Sequence, residues 1–164
     1  MTYIVGIDPG LTGALAFLNP DGTFLTLFDM PVMPNGKGKA KVQNQINSAA
    51  VAQIFRRADI PMRDMCGIIE QVQAMTKQGV SSVFSFGDTY GALRTVPAVL
   101  GIPLTHVRPQ AWKKRFGLIG ADKDKSLPIA QGLFPTAELH LKKHHNRADA
   151  LLIARYGWEQ MRTL

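Results

Sequence analysis

The chain has 164 residues, 46% of them hydrophobic, and 19 Lys and Arg against 12 Asp and Glu give it a formal charge of +7. That length predicts a single domain, 1–164, with a core that needs no staples, and the lone Cys66 excludes an internal disulfide and a thiolate zinc cage. No apolar stretch is long enough to span a bilayer and the N-terminus has no signal-peptide pattern, so the expectation is a cytosolic or equivalent compartment, no membrane partner and, from the charge, a polyanion such as nucleic acid.

The first apolar run, Tyr3 to Asp8, places Ile4, Val5 and Ile7 on both faces, the pattern of a strand covered on two sides, and ends on a carboxylate. Pro9-Gly10 turns the chain, and Ala14 to Leu18 is apolar enough to pair back antiparallel. Asn19-Pro20-Asp21-Gly22 is a strong turn before a third run, Thr23 to Phe28. Pro31 to Lys41 carries two prolines, two glycines, Lys37, Lys39 and Lys41. It reads as a flexible basic loop, either a solvated linker or a phosphate contact.

From Asn47 the period is helical: Ala50, Val51, Ile54 and Phe55 recur at three and four, with Asn47 or Ser48 as cap. Cys66 to Val72 is a short strand containing Glu70, and Gln73 to Gly79 a polar loop. Ser81-Ser82 then cap a helix through Val96, where Phe84, Gly87, Gly91 and Leu93 suggest a closely packed face, and Pro97, Gly101 and Pro103 mark its end. Leu104 to Val107 reads as a strand, and Pro109 to Phe116, Lys123 to Phe134 and Asn146 to Met161 as helices. Three strands first, then strands alternating with helices, predict an α/β fold with a mixed five-stranded sheet flanked by helices.

Three acids stand in unusually apolar settings. Asp8 and Glu70 each end an apolar strand, and Asp149 lies in Ala148-Asp149-Ala150-Leu151-Leu152-Ile153-Ala154, on a helical face shared with His145, Leu152, Ile153 and Tyr156. Any one of them fits a cap or an ion-pair partner as well as a catalytic role. Three together in a basic chain favour catalysis. Carboxylates converging at a sheet edge repel unless a divalent cation neutralises them, and oxygen ligands partly open to water suit Mg²⁺ or Mn²⁺. Two such ions, about 3.5–4 Å apart, activate a water and stabilise the leaving 3′ oxygen in phosphodiester hydrolysis.

These residues carry a resemblance. Gly6-Ile7-Asp8-Pro9-Gly10-Leu11-Thr12-Gly13, Ile69-Glu70-Gln71-Val72, Tyr90-Gly91-Ala92-Leu93, Gly101-Ile102-Pro103, Arg108-Pro109 with Trp112-Lys113-Lys114, Asp122-Lys123 and Ala148-Asp149-Ala150-Leu151 occur in this order over nearly the whole chain. The set resembles the RuvC-type Holliday junction resolvases of the RNase H-like superfamily, particularly phage-encoded and phage-like members. The resemblance implies an RNase H-like fold and a homodimer that nicks four-way or branched DNA in symmetric pairs, a Mg-dependent crossover junction endodeoxyribonuclease with no small-molecule cofactor. It assigns the metal to Asp8, as the shared ligand, with Glu70 and Asp149 flanking.

The family usually adds an Asp or His three residues before the last acid. That position is Asn146 here; His145 lies one residue earlier on the Asp149 face and is the choice for the fourth catalytic and metal residue, as ligand or proton donor. A helix-start histidine that contacts DNA or caps the chain is the alternative. The family also places an aromatic after the strand acid, where this chain has Gln73-Ala74-Met75; Phe84 and Phe86 are candidates for stacking, although such residues are more often helix core. Lys77, Arg108, Lys113, Lys114, Arg115, Lys123, Lys125 and Arg147 are the expected phosphate contacts, with Trp112 anchoring the helix that carries three of them. A nuclease for hybrids or flaps and a non-catalytic branched-DNA-binding module stand as alternatives. An actin-like ATPase would need a second lobe and phosphate loop for which the chain has no room.

Overall fold

The computed structural model describes residues 1–36, 43–73 and 79–163. Its strands are β1 (Tyr3–Asp8), β2 (Ala14–Leu18), β3 (Phe24–Asp29), β4 (Val32–Asn35) and β5 (Gln43–Ile46), followed by α1 (Ser48–Arg57), β6 (Met65–Glu70) and α2 (Val80–Val99). Then come β7 (Leu104–Val107), α3 (Pro109–Arg115), α4 (Ser126–Leu133) and α5 (His145–Arg162). Five strands form one sheet in the order β3-β2-β1-β6-β7, antiparallel among the first three and parallel from β1 to β6 and β6 to β7. The expected α/β class and mixed sheet are therefore present. Asn47 caps α1 as expected, its Oδ1 accepting from Ala50 N at 3.0 Å.

The two-residue period of the strands decides which side chains reach which layer. Val5, Ile7, Met65 and Ile69 turn to one face and pack with Val51 and Phe55 of α1 and Leu93 and Val96 of α2. Ile4 and Ile68 turn to the other, against Ala148 to Ala154 of α5, Trp112 of α3 and Ala130 of α4. Asp8 and Glu70 fall in this second phase, so both carboxylates emerge on the α5 face at the carboxyl ends of parallel neighbours. Gly6 is in the same phase and lies under α5: a Cβ there would collide with Ala150 O, Ala154 N and the Ala154 side chain.

Three expectations need correction. The segment from Pro31 is not a loop at its start, because β4 pairs antiparallel with β5, Pro34 opposite Asn44. A two-stranded ribbon is all edge and tolerates a residue with no N–H, and Gln43-Asn44-Gln45 has no apolar alternation to betray a strand. Lys37, Lys39 and Lys41 lie outside the described residues. The second correction concerns α2, which runs through Pro97 to Val99; in the last turn the missing N–H forfeits one helical bond, and Ile102 N donates back to Pro97 O at 2.9 Å as Gly101 (φ 72°) reverses the chain.

The anticipated tight face of α2 is also open. Phe84 is 78% exposed, Phe86 36%, and a Cβ on Gly87 or Gly91 would meet nothing among the described residues. Leu93 alone of the four named residues is buried. Tyr90 Oη, 2.7 Å from His106 Nδ1, ties α2 to the edge strand β7.

Because the Gly6 collision is with helix backbone, little relief is available. Gly6→Ala is expected to cost about 2 kcal/mol or more, lowering Tm by roughly 4–8 °C; an unchanged melting curve would contradict the close helix–strand contact.

Candidate active site

The strand β1 ends at Asp8 because the next residues turn at once. Gly13 N donates to Gly10 O at 3.0 Å, Met30 N donates to Gly13 O at 2.9 Å, and a Cβ on Gly13 would strike the Asp8 carbonyl. The start of α5 is fastened to the same turn by Asn146, whose Nδ2 donates to Thr12 O at 2.7 Å. Glu70 is set by the parallel register of β6 with β1, Ile69 lying opposite Ile7, and by Gln71 N donating to Val107 O at 2.7 Å just beyond it. Asp8, Glu70 and Asp149 thereby line one open cavity of about 740 Å³, together with Trp112, Lys113, Lys123, Ser126, Lys143, His145 and Asn146.

The electrostatics identify this as a site that resists its own charge. Burial, then the charges of Asp149 and Glu70, hold Asp8 well above the usual carboxylate range, with Lys113 opposing. Burial also raises Glu70, against a hydrogen bond from Trp112 and the charge of Lys113. Asp149 is pushed up to about 6, again chiefly by burial, with Ser126, Lys113 and His145 lowering it and Glu70 raising it. Lys113 thus faces all three acids.

Among the described residues no three His, Cys, Asp or Glu side chains meet closely enough to form a ligand cluster as they stand. The donor set still fits a hard cation: carboxylate oxygens, charge in excess, and an opening wide enough for water to complete an oxygen shell. Trp112 Nε1 donates to Glu70 Oε2 at 2.7 Å, so one oxygen of that acid is already held.

Of the histidines, His145 lines the cavity, its Nδ1 3.4 Å from Lys142 O, a contact that favours the tautomer with the proton on Nδ1 and leaves Nε2 as the free acceptor. Asn146, at the position expected from the family pattern, spends its side chain on Thr12. His144 is buried, with Nδ1 accepting from Leu141 N at 3.3 Å, and burial lowers its pKa.

The predicted phosphate contacts separate into groups. Lys113 and Lys123 stand on the cavity wall, and Lys123 continues into a side cavity of about 300 Å³ with Lys142, Lys143, His145 and one acid, Asp124, whose Oδ2 is 4.0 Å from Lys142 Nζ. Lys114 and Lys125 are exposed but line neither cavity. Arg108 lines a separate, mostly apolar cavity with Tyr156 and Met161 on the β7 side. Arg115 is bonded to Glu159 at 2.7 and 3.1 Å. Arg147, only 18% exposed, makes a two-pronged pair with Asp29 at 2.6 and 2.7 Å and also reaches Glu138, so it is a structural clamp rather than a free cation. Lys77 falls outside the described residues.

No protein-family model matches the chain. The chloroplastic Holliday junction resolvase MOC1 of Chlamydomonas reinhardtii is 44% identical over 80 residues, 47% of this chain, and the match spans 9% of the length of that relative. Thermus thermophilus RuvC superposes with a TM-score of 0.57 at 19% identity, over 99% of this chain and 97% of that one. T. thermophilus RuvC in complex with Holliday junction substrate gives 0.66, also at 19% identity, over 99% and 96%. The fold is that of RuvC. The cavities bring together the three expected acids with the expected His145 and Asn146; Trp112, expected only as a core anchor, also donates to Glu70, and three residues that the sequence does not single out join them, Ser126, Lys142 and Lys143. The pair Lys142-Lys143 directly before His144-His145 was the available signal for the last two.

An acid whose folded pKa is raised contributes stability below its unfolded value, and that contribution is lost as pH rises through the folded value. Between pH 3.8 and about 6 ionisation of Asp149 therefore costs the metal-free protein stability. Asp149→Asn is expected to unfold at higher urea concentration than the parent at pH 7.5 in EDTA, by up to about 3 kcal/mol, with the gain gone near pH 4; equal stability at pH 7.5 would contradict the crowding of charge.

Proposed function

We propose that this chain is a structure-selective endonuclease that resolves Holliday junctions or other branched DNA by metal-dependent phosphodiester hydrolysis. The observation that carries the reading is the gathering of Asp8, Glu70 and Asp149 in one open cavity at the carboxyl ends of β1 and β6, with Lys113, Lys123 and Lys143 also on its lining. The RuvC fold and the resolvase names of the similar proteins support it.

Asp8, Glu70 and Asp149 would hold Mg²⁺ or Mn²⁺, with Asp8 central because its strand β1 pairs with β6, which ends in Glu70, and lies under α5, which carries Asp149. Two bound ions supply charge neutralisation, an activated water and stabilisation of the leaving 3′ oxygen. The chain does the rest. Lys113, on the cavity wall, holds the scissile phosphate against the acids and tempers their repulsion. Lys123, Lys142 and Lys143 grip the neighbouring backbone phosphate in the side cavity, a contribution that weakens with salt. His145 either completes the ligand set through Nε2 or, when protonated there, donates that proton towards the leaving oxygen.

Symmetric nicking requires two sites, and the outer face of α2 is suited to pairing. Val80, Phe84 and Phe86 are exposed beside Gly87 and Gly91, which let a second helix approach closely. This helix packs on the sheet face opposite α5, so a homodimer built there leaves both cavities open.

Labelled four-way junction, RNA–DNA hybrid and flap substrates, offered in parallel with Mg²⁺, test the reading. The parent is expected to prefer the junction and nick opposing strands in pairs, while Asp8→Asn loses about 10²–10³-fold or more yet still binds. Preferential cutting of hybrid would instead establish a different RNase H-like nuclease. Junction binding without cutting, identical in Asp8→Asn, would establish a non-catalytic module.

The dimer has its own check. Phe84→Glu should sediment as a monomer and convert paired nicks into single ones; a dimeric Phe84→Glu would move the interface elsewhere.

A further inference from the structure

We propose that Trp112 is a positioning residue for the acid site, its indole N–H fixing the Glu70 carboxylate so that Oε2 is engaged and Oε1 alone is offered to a divalent cation. The inference rests on the metal-binding reading above and adds to it a partner for one ligand.

The indole N–H is a donor only, and burying it without an acceptor would cost about 1–3 kcal/mol. Trp112 is 1% exposed, and its Nε1 finds Glu70 Oε2 at 2.7 Å, the short distance of a bond to an ionised acceptor. Among the described residues no other protein donor reaches this carboxylate. The donor cannot wander: Trp112 is packed in the cluster that contains Leu118, Ala148, Leu151 and Leu152.

The route from strand to donor is equally short. Val107 lies opposite Glu70 in the β6–β7 register, β7 ends there, and α3 begins two residues later with Pro109 and returns Trp112 over the acid. A glutamate has three side-chain torsions to immobilise, more than either aspartate in the site. Holding one oxygen from a rigid ring converts a mobile ligand into a fixed one. With Oε2 engaged, Oε1 is the oxygen left to bind, which favours coordination through one atom over two. Lys113, the next residue, has its ammonium 5.4 Å from the Trp112 ring centre, so the same helical turn also sets where that charge stands.

Mn²⁺ binding to the full chain, by titration calorimetry without DNA, tests this independently of cutting. Trp112→Phe keeps the aromatic bulk and removes the donor, and is expected to weaken Mn²⁺ binding about tenfold or more. Trp158→Phe is the control for mere loss of packing: it removes the other indole, which donates to Pro20 O at 3.0 Å and packs on Gly22, and should leave Mn²⁺ affinity within about twofold. A second measurement needs no change at Trp112. In the Glu70→Ala protein the Trp112 indole N–H resonance should move upfield and exchange faster with solvent. Equal Mn²⁺ affinity in parent and Trp112→Phe, or an indole resonance unmoved by Glu70→Ala, would overturn the positioning role. A parent that binds no Mn²⁺ at all would remove the cation site itself along with it, an outcome readily told apart from the other two.

Discussion

A glycine inside a buried strand gives up more conformational entropy than any other residue, and Gly6 stands in the middle of β1 where α5 crosses it. The contact is backbone against backbone, with Ala150 and Ala154 supplying the helix side. Asp149 immediately precedes Ala150, and Asp8 is two residues beyond Gly6 in the same strand phase, so the depth of this contact sets how far apart the two acids stand. One turn further along, Gly157 repeats the device against Ile68 of β6, the strand that ends in Glu70. The helix is therefore seated on both acid-bearing strands by small residues, and the spacing of the site is a property of core packing before it is a property of any ligand.

Charge then opposes what packing imposes. Three carboxylates raised above their ordinary range are a standing cost to the metal-free fold, offset in part by Lys113 and by the donors Trp112 and Ser126. Burial is the largest cause for each acid. A site that were merely a surface cluster would show little of this, because water would screen it. Arg147 deals with a different problem at the same end of the helix: by pairing with Asp29 of β3 and with Glu138 it fastens α5 to the far strand, as Asn146 fastens it to the turn after β1. Two of the first three residues of α5 are thus structural ties, and of the three His145 is the one on the cavity lining whose side chain is not spent on such a tie.

These commitments explain which parts were legible in the sequence. An acid at the end of an apolar strand, or on the buried face of a helix, breaks a local pattern, and pattern breaks are visible one residue at a time; Asp8, Glu70 and Asp149 were found that way. The meander followed from equally local signals, as did the Asn47 cap of α1, whereas α2 begins at Val80 with no side-chain cap from Ser81 or Ser82 and runs on to Val99. A cation, by contrast, looks the same whether it is free or paired. Arg147 and Arg115 were read as phosphate contacts because nothing near them in sequence announces Asp29, 118 residues away, or Glu159, 44 away. Trp112 failed in the opposite sense: its burial was expected, but the acceptor for its N–H is 42 residues distant. The β4–β5 ribbon escaped because a polar two-stranded element carries no hydrophobic period at all.

The sheet therefore separates two kinds of surface by strand phase alone. Odd-numbered residues of β1 and β6 point to α1 and α2, even-numbered ones to α5, α3 and α4. A shift of β6 by one residue against β1 would send Glu70 to the α2 side and bury a charge among Leu93 and Val96, so the register is held by a penalty on both faces at once. That constraint makes the acid wall and the outer face of α2 mechanically coupled through a single rigid layer, with the Tyr90–His106 bond clamping α2 to the strand beside Glu70. Two copies paired through α2 would each present a cavity whose orientation is fixed by the sheet and not by flexible loops. In such a pair, rigidity of this kind would set the distance between the two cavities.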